Sequence, residues 1–72
     1  MSAEQQDIKR QVANLIREAR KAKGLTQKEL GDMIGVAEST FSRFEKGGQN
    51  LTLDTLQRIS VALGVSLFID FK

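Results

Sequence analysis

Seventy-two residues with a net charge of +2 and neither Cys nor His describe one small domain whose core is only marginally able to hold a fold alone. The missing Cys and His exclude disulfides, thiolate and imidazole metal sites, Cys or Ser–His nucleophiles and His general bases. The acids show no ligand-like clustering and no stretch has the apolar length of a membrane span or of a signal peptide, so a cytoplasmic non-enzyme with no cofactor, metal or membrane partner is expected.

The first predicted helix runs over about 5–23, where Ile8, Val12, Leu15, Ile16, Ala19 and Ala22 recur at helical spacing. Gly24 ends it. Residues 8–28 hold seven bases (Lys9, Arg10, Arg17, Arg20, Lys21, Lys23 and Lys28) against Glu18 alone, a local charge of +6. Such a segment suits contact with phosphates. A solvated helix face, with Lys21 and Lys23 answering a helix dipole, explains part of it equally well.

A second helix is predicted over about 26–34. Thr26 and Glu29 have the spacing of a capping box, and Leu30, Met33 and Ile34 give the helix one apolar face. Gly35 stands where a left-handed helix end needs a residue without a Cβ. A third helix follows over about 37–46, with Val36, Phe41 and Phe44 inward, and Gly47 and Gly48 close it. Two short helices joined by one tight turn are a helix-turn-helix, a unit that many proteins use to place a helix in the DNA major groove.

Residues 47–50 read as a loop. Thr52 is the N-cap of a fourth helix with Asp54 in its first turn, buried residues Leu53, Leu56, Ile59 and Leu63, and Gly64 at its end. The tail 65–71 is β-branched, aromatic and alternating, so it reads as a strand. A lone strand must pair, and a second copy of the same tail across a two-fold axis is the simplest partner. Leu67, Phe68, Ile69 and Phe71 would then form the dimer interface. The alternative is a fifth helical turn or a disordered end that packs Leu67 and Phe68 onto the core. With no Pro, low-complexity tract or internal repeat, residues 1–72 are expected to be a single domain with its core in 8–64.

Residues 12–65 resemble the Cro/cI-type, or Xre, helix-turn-helix family of phage and bacterial repressors. Gln27, Gly31, Gly35, Phe41 and Glu45 before Gly47 all stand at family spacing. The resemblance implies an all-α, four-helix, lambda-repressor-like domain that binds double-stranded DNA at a palindromic operator as a homodimer. It places base reading at the start of the third helix, here Glu38, Ser39, Ser42 and Arg43. The residue pattern agrees, because Phe41 and Phe44 fix the inner face and leave those four outside.

Arg43 is the leading base reader, since a guanidinium can bond guanine O6 and N7 together; the alternative is a phosphate contact. Glu38 departs from the basic or amide residue common there, and either accepts from cytosine N4, selects against wrong sites or answers the helix dipole. Ala37 departs from the usual Ser or Thr cap, so the third helix frays or Ser39 and Thr40 compensate. The resemblance gives Gln27 as a phosphate anchor; Lys28, from the basic segment, and Thr40 and Lys46 are further DNA-backbone candidates. It also implies a structural ion pair between Arg20 and Glu45 that orients the third helix.

The tail is similar to that of antitoxins of the HigA and HipB kinds, where a strand after the last helix pairs between subunits. That similarity implies a repressor of its own operon with a cognate toxin protein as partner. A free-standing phage or operon repressor, and a helix-turn-helix kept as a scaffold for protein contacts, are the competing functions.

Overall fold

The computed structural model describes residues 2–47 and 51–71, with side chains from residue 8 onward. Four helices follow in chain order: α1 (Ser2–Ala22), α2 (Gln27–Ile34), α3 (Glu38–Phe44) and α4 (Leu53–Leu63). None is long and apolar enough to cross a membrane. The expected loop residues Gly48, Gln49 and Asn50 lie outside the described residues.

Local chemistry sets the helix ends. Thr26 Oγ1 accepts from the Glu29 N–H at 3.0 Å while Glu29 Oε1 accepts from the Thr26 N–H at 2.8 Å, so the capping box forms in both directions. Gly35 takes the left-handed conformation at φ +78°, and its N–H donates to the carbonyls of Asp32 and Gly31. Thr52 caps α4 by accepting from the Thr55 N–H at 3.0 Å. Ala37 gives α3 no side-chain cap, and among the described residues no other side chain supplies one. The helix nevertheless starts at Glu38, because tertiary packing of its inner face replaces the missing cap.

Ile16, Leu30, Ile34, Phe41, Phe44, Ile59 and Leu63 form one core, drawing on all four helices. Leu30 and Phe41 have no exposed surface and mark its centre. Phe41 and Phe44, one turn apart on α3, meet edge to face with ring centroids 5.7 Å apart. α2 and α3 approach closely because position 31 is glycine: a Cβ there would lie 3.0 Å from the Val36 carbonyl oxygen. Val36, two residues past α2, thus folds back directly over it.

Several predicted core positions are on the surface instead. Met33 is 55% exposed and Leu53 69% exposed, and Ile8 and Leu15 also face outward. Periodicity gave their angle on the helix, but among the described residues no neighbouring element covers that angle. On α1 the buried stripe is Ala13, Ile16 and Arg20, flanked by Val12 and Ala19.

The tail corrects a larger expectation. Residues 65–71 form no strand. The Val65 N–H closes the end of α4 by donating to the Ser60 carbonyl at 3.0 Å, and the chain then runs irregularly. Leu67, Phe68, Ile69 and Phe71 are all exposed, Phe71 at 97%, so the tail does not pack on the core as a helical turn either. A strand needs a ladder partner. No other strand exists among the described residues to serve as one.

Candidate nucleic-acid interface

The interface is built on the α2–turn–α3 unit. Phe41 and Phe44 anchor α3 by one face. At 3.6 residues per turn their burial sends residues 38, 39, 42 and 43 to other angles. Glu38, Ser39 and Arg43 are exposed and Ser42 is half-buried. Their side chains make no hydrogen bond among the described residues. One carboxylate, two hydroxyls and one guanidinium are therefore presented outward with their bonding capacity unspent.

Behind α3 the structure joins Arg20 to Glu45 in a two-bond fork. Arg20 Nε donates to Glu45 Oε2 at 2.7 Å and Nη2 donates to Oε1 at 3.0 Å. The third guanidinium nitrogen, Nη1, donates to the Leu25 carbonyl at 2.8 Å, and the Leu25 N–H returns a bond to the Arg20 carbonyl at 3.2 Å. The turn that ends α1 thus sets the arginine's plane. Its two-point grip on the carboxylate transmits that orientation to the residue just after α3.

Burial alone would push the Glu45 carboxyl up. Hydrogen bonds from Arg20 and Gln27, with the charges of Arg20 and Arg17, outweigh burial and hold it below the usual glutamate range. Arg20 is raised above its ordinary value, chiefly by its hydrogen bond to Glu45 and against the opposing effect of burial.

The proposed backbone residues fall in different settings. Gln27 is the first residue of α2, half-buried, and its Nε2 donates to Glu45 Oε1 at 3.0 Å. Lys28 is exposed and bonds Asp32 at 3.0 Å, one turn along the same helix. Its ammonium pKa is raised first by that bond, then by the charges of Asp32 and Glu38. Lys28, Asp32 and Glu38 therefore share one charged corner beside the start of α3. Lys46 is exposed in the turn after α3, and Thr40 is half-buried. The tail residues Leu67, Phe68, Ile69 and Phe71 are exposed beyond α4.

Sequence reasoning missed three participants. Arg58 of α4 donates from Nη2 to the Ile34 carbonyl at 2.6 Å, tying α4 to the last residue of α2. Its one sequence signal was that it is the only base on that helix. Asp32 was legible from its spacing of four from Lys28. The third is the bond between Gln27 and Glu45, which spans 18 residues and leaves no local signature.

The sequence profile of the helix-turn-helix family matches residues 16–69, which includes all of α2, α3 and α4. The chain belongs to the Xre-type helix-turn-helix family. An uncharacterized HTH-type transcriptional regulator of Methanothermobacter thermautotrophicus is 48% identical over 50 residues, 69% of this chain and 72% of its own length. Antitoxin HipB of Escherichia coli K12 is 39% identical over 57 residues, 79% of this chain and 65% of HipB. The cryptic phage CTXphi transcriptional repressor RstR of Vibrio cholerae is 35% identical over 52 residues, 72% of this chain and 47% of RstR. The chain thus spans about half of RstR and just under two thirds of HipB.

Proposed function

We propose that this helix-turn-helix chain is a homodimeric, sequence-specific DNA-binding repressor, the antitoxin of a toxin–antitoxin pair that represses its own operon. The observation that carries DNA reading is the outward face of α3. Its four polar side chains make no hydrogen bond among the described residues, while Phe41, Phe44 and the Arg20–Glu45 fork hold the helix from behind. No covalent chemistry is needed. Gln27 and the first turn of α2, with Lys28, Thr40 and Lys46, hold phosphates, and α3 reads base edges. Arg43 bonds guanine, and Glu38 accepts from cytosine N4.

The antitoxin assignment is supported by the similarity to HipB across most of the chain. The exposed apolar tail supports the homodimer instead, since a second copy would cover it. The similarity to a phage repressor favours a second reading, a free-standing repressor with no toxin partner.

Selection of duplexes from a randomised pool by the purified protein tests the reading. Palindromic sites should emerge, and Arg43→Ala should lose about 1–3 kcal/mol on them and relax preference at one base pair per half-site. Enrichment of no sequence would reject specific DNA binding. Equal losses on selected and random DNA would make Arg43 a phosphate contact. Co-purification with the product of an adjacent gene separates antitoxin from free-standing repressor.

A further inference from the structure

Gln27 is held in a way that its place at the start of a helix does not require. Its amide nitrogen donates to Glu45 Oε1, the oxygen that also accepts from Arg20 Nη2. A carboxylate paired to arginine only accepts, so the amide has one permitted orientation, nitrogen toward Glu45 and oxygen away. One of the two Nε2–H bonds is committed, and one is left for an outside acceptor.

Every link behind this amide is also fixed. Leu25 holds Arg20, Arg20 grips both oxygens of Glu45, and Glu45 holds Gln27. One buried carboxylate, 3% exposed, thereby joins the end of α1, the start of α2 and the turn after α3. Its charge is matched by Arg20, and the exposed cation of Arg17 lies near enough to act on it. An incoming phosphate therefore meets no uncompensated anion here.

We infer that Glu45 is a positioning residue for DNA-backbone binding: it orients the Gln27 amide so that the remaining Nε2–H, with the backbone N–H groups of the first turn of α2, faces a phosphate. This rests on the DNA-binding reading above. A glutamine already ordered in the free protein loses less freedom on binding than a mobile one, which is worth about threefold to tenfold in affinity.

The test is a cycle of Gln27→Ala in three backgrounds: wild type, Glu45→Gln and Glu45→Asp. Glu45→Gln keeps an oxygen for Arg20 but sets a nitrogen donor against Gln27 Nε2. Glu45→Asp keeps the charge but is too short to reach both partners. Thermal melts establish that each variant is folded, and affinity is read on a mixed-sequence duplex at low salt, where phosphate contacts dominate. Gln27→Ala should cost about threefold to tenfold in wild type and less than about twofold in either Glu45 background. Equal losses in all three would overturn the inference, since Glu45 would then act through Arg20 alone.

The free protein gives an independent reading. The two Gln27 side-chain amide protons should be well separated by NMR, with one slow to exchange, and Glu45→Gln should abolish both features. A mobile amide in the wild type would also overturn the inference. A held amide in a protein that shifts no duplex would reject DNA binding itself, and the phosphate assignment with it.

Discussion

Replacing Arg20 by Ala should cost more than replacing Glu45, although the two form one ion pair. Arg20→Ala strands a carboxylate that is 3% exposed, leaves it Gln27 as its single donor, and removes the side-chain donor to the Leu25 carbonyl. Glu45→Ala leaves Arg20 its bond to Leu25 and a side chain 11% exposed, which can turn its free nitrogens toward water. Breaking a buried pair from one side costs about 3–5 kcal/mol, and a surviving hydrogen bond offsets about 1 kcal/mol. Losses of about 3–4 kcal/mol for Arg20→Ala and about 2–3 kcal/mol for Glu45→Ala follow. The double variant strands neither charge and should fall short of their sum by about 2 kcal/mol. Domains of this size are stable by only about 3–5 kcal/mol, so Arg20→Ala should be marginally stable and a stabilising osmolyte is needed for a measurable folded baseline. Urea unfolding followed by circular dichroism, at one protein concentration and in one osmolyte, measures all four proteins. Additivity within about 0.5 kcal/mol, or a larger loss for Glu45→Ala, would refute the reasoning.

Gly31→Ala should lower the melting temperature, with a loss of about 1–2 kcal/mol, because the new Cβ lies 3.0 Å from the Val36 carbonyl oxygen. At an open helix site the same change would stabilise by about 1 kcal/mol and raise the melting temperature, so the sign alone decides. Glu45 is held below its unfolded value, so its contribution is fully present above the ordinary glutamate range of about 4.3 and is lost as pH falls through its folded value. Urea midpoints should therefore drop more steeply with acid in the wild type than in Glu45→Gln; parallel profiles would remove Glu45 from the acid response. On the proposed tail-paired dimer, deleting residues 66–72 should give a monomer with an intact α4 end and far weaker operator affinity. Sedimentation as an unchanged dimer would place the contact elsewhere, at Val61 and its exposed neighbours on α4.

Where structure depends on neighbours in the chain, the sequence was a good guide. The capping box at Thr26 and Glu29, the left-handed Gly35 and the Thr52 cap each follow from residues within three positions of one another. Burial was harder, because spacing gives a helix face without saying whether another element reaches it. Leu15 and Leu53 have apolar spacing and are exposed, whereas Ala13 is buried with little hydrophobic signal of its own. The tail shows the limit most plainly. Its composition suits a strand, but a ladder is a property of two segments, and one chain supplies only one. In the interface, family spacing pointed to Arg20 and Glu45, yet nothing local could show that Gln27 joins them or that Arg58 reaches Ile34.

The outward residues of α3 share no hydrogen bond with the groups that hold the helix in place. Phe41, Phe44 and Gly31 can stay fixed while Glu38, Ser39, Ser42 and Arg43 are exchanged, at little cost in folding free energy. Surface changes of that kind usually stay within about 0.5 kcal/mol. A marginally stable domain tolerates few larger losses. On the proposed base-reading role of these four residues, sequence preference can therefore drift, or be re-engineered, without the protein crossing its stability threshold, and a duplicated copy can acquire a new target while keeping the old scaffold.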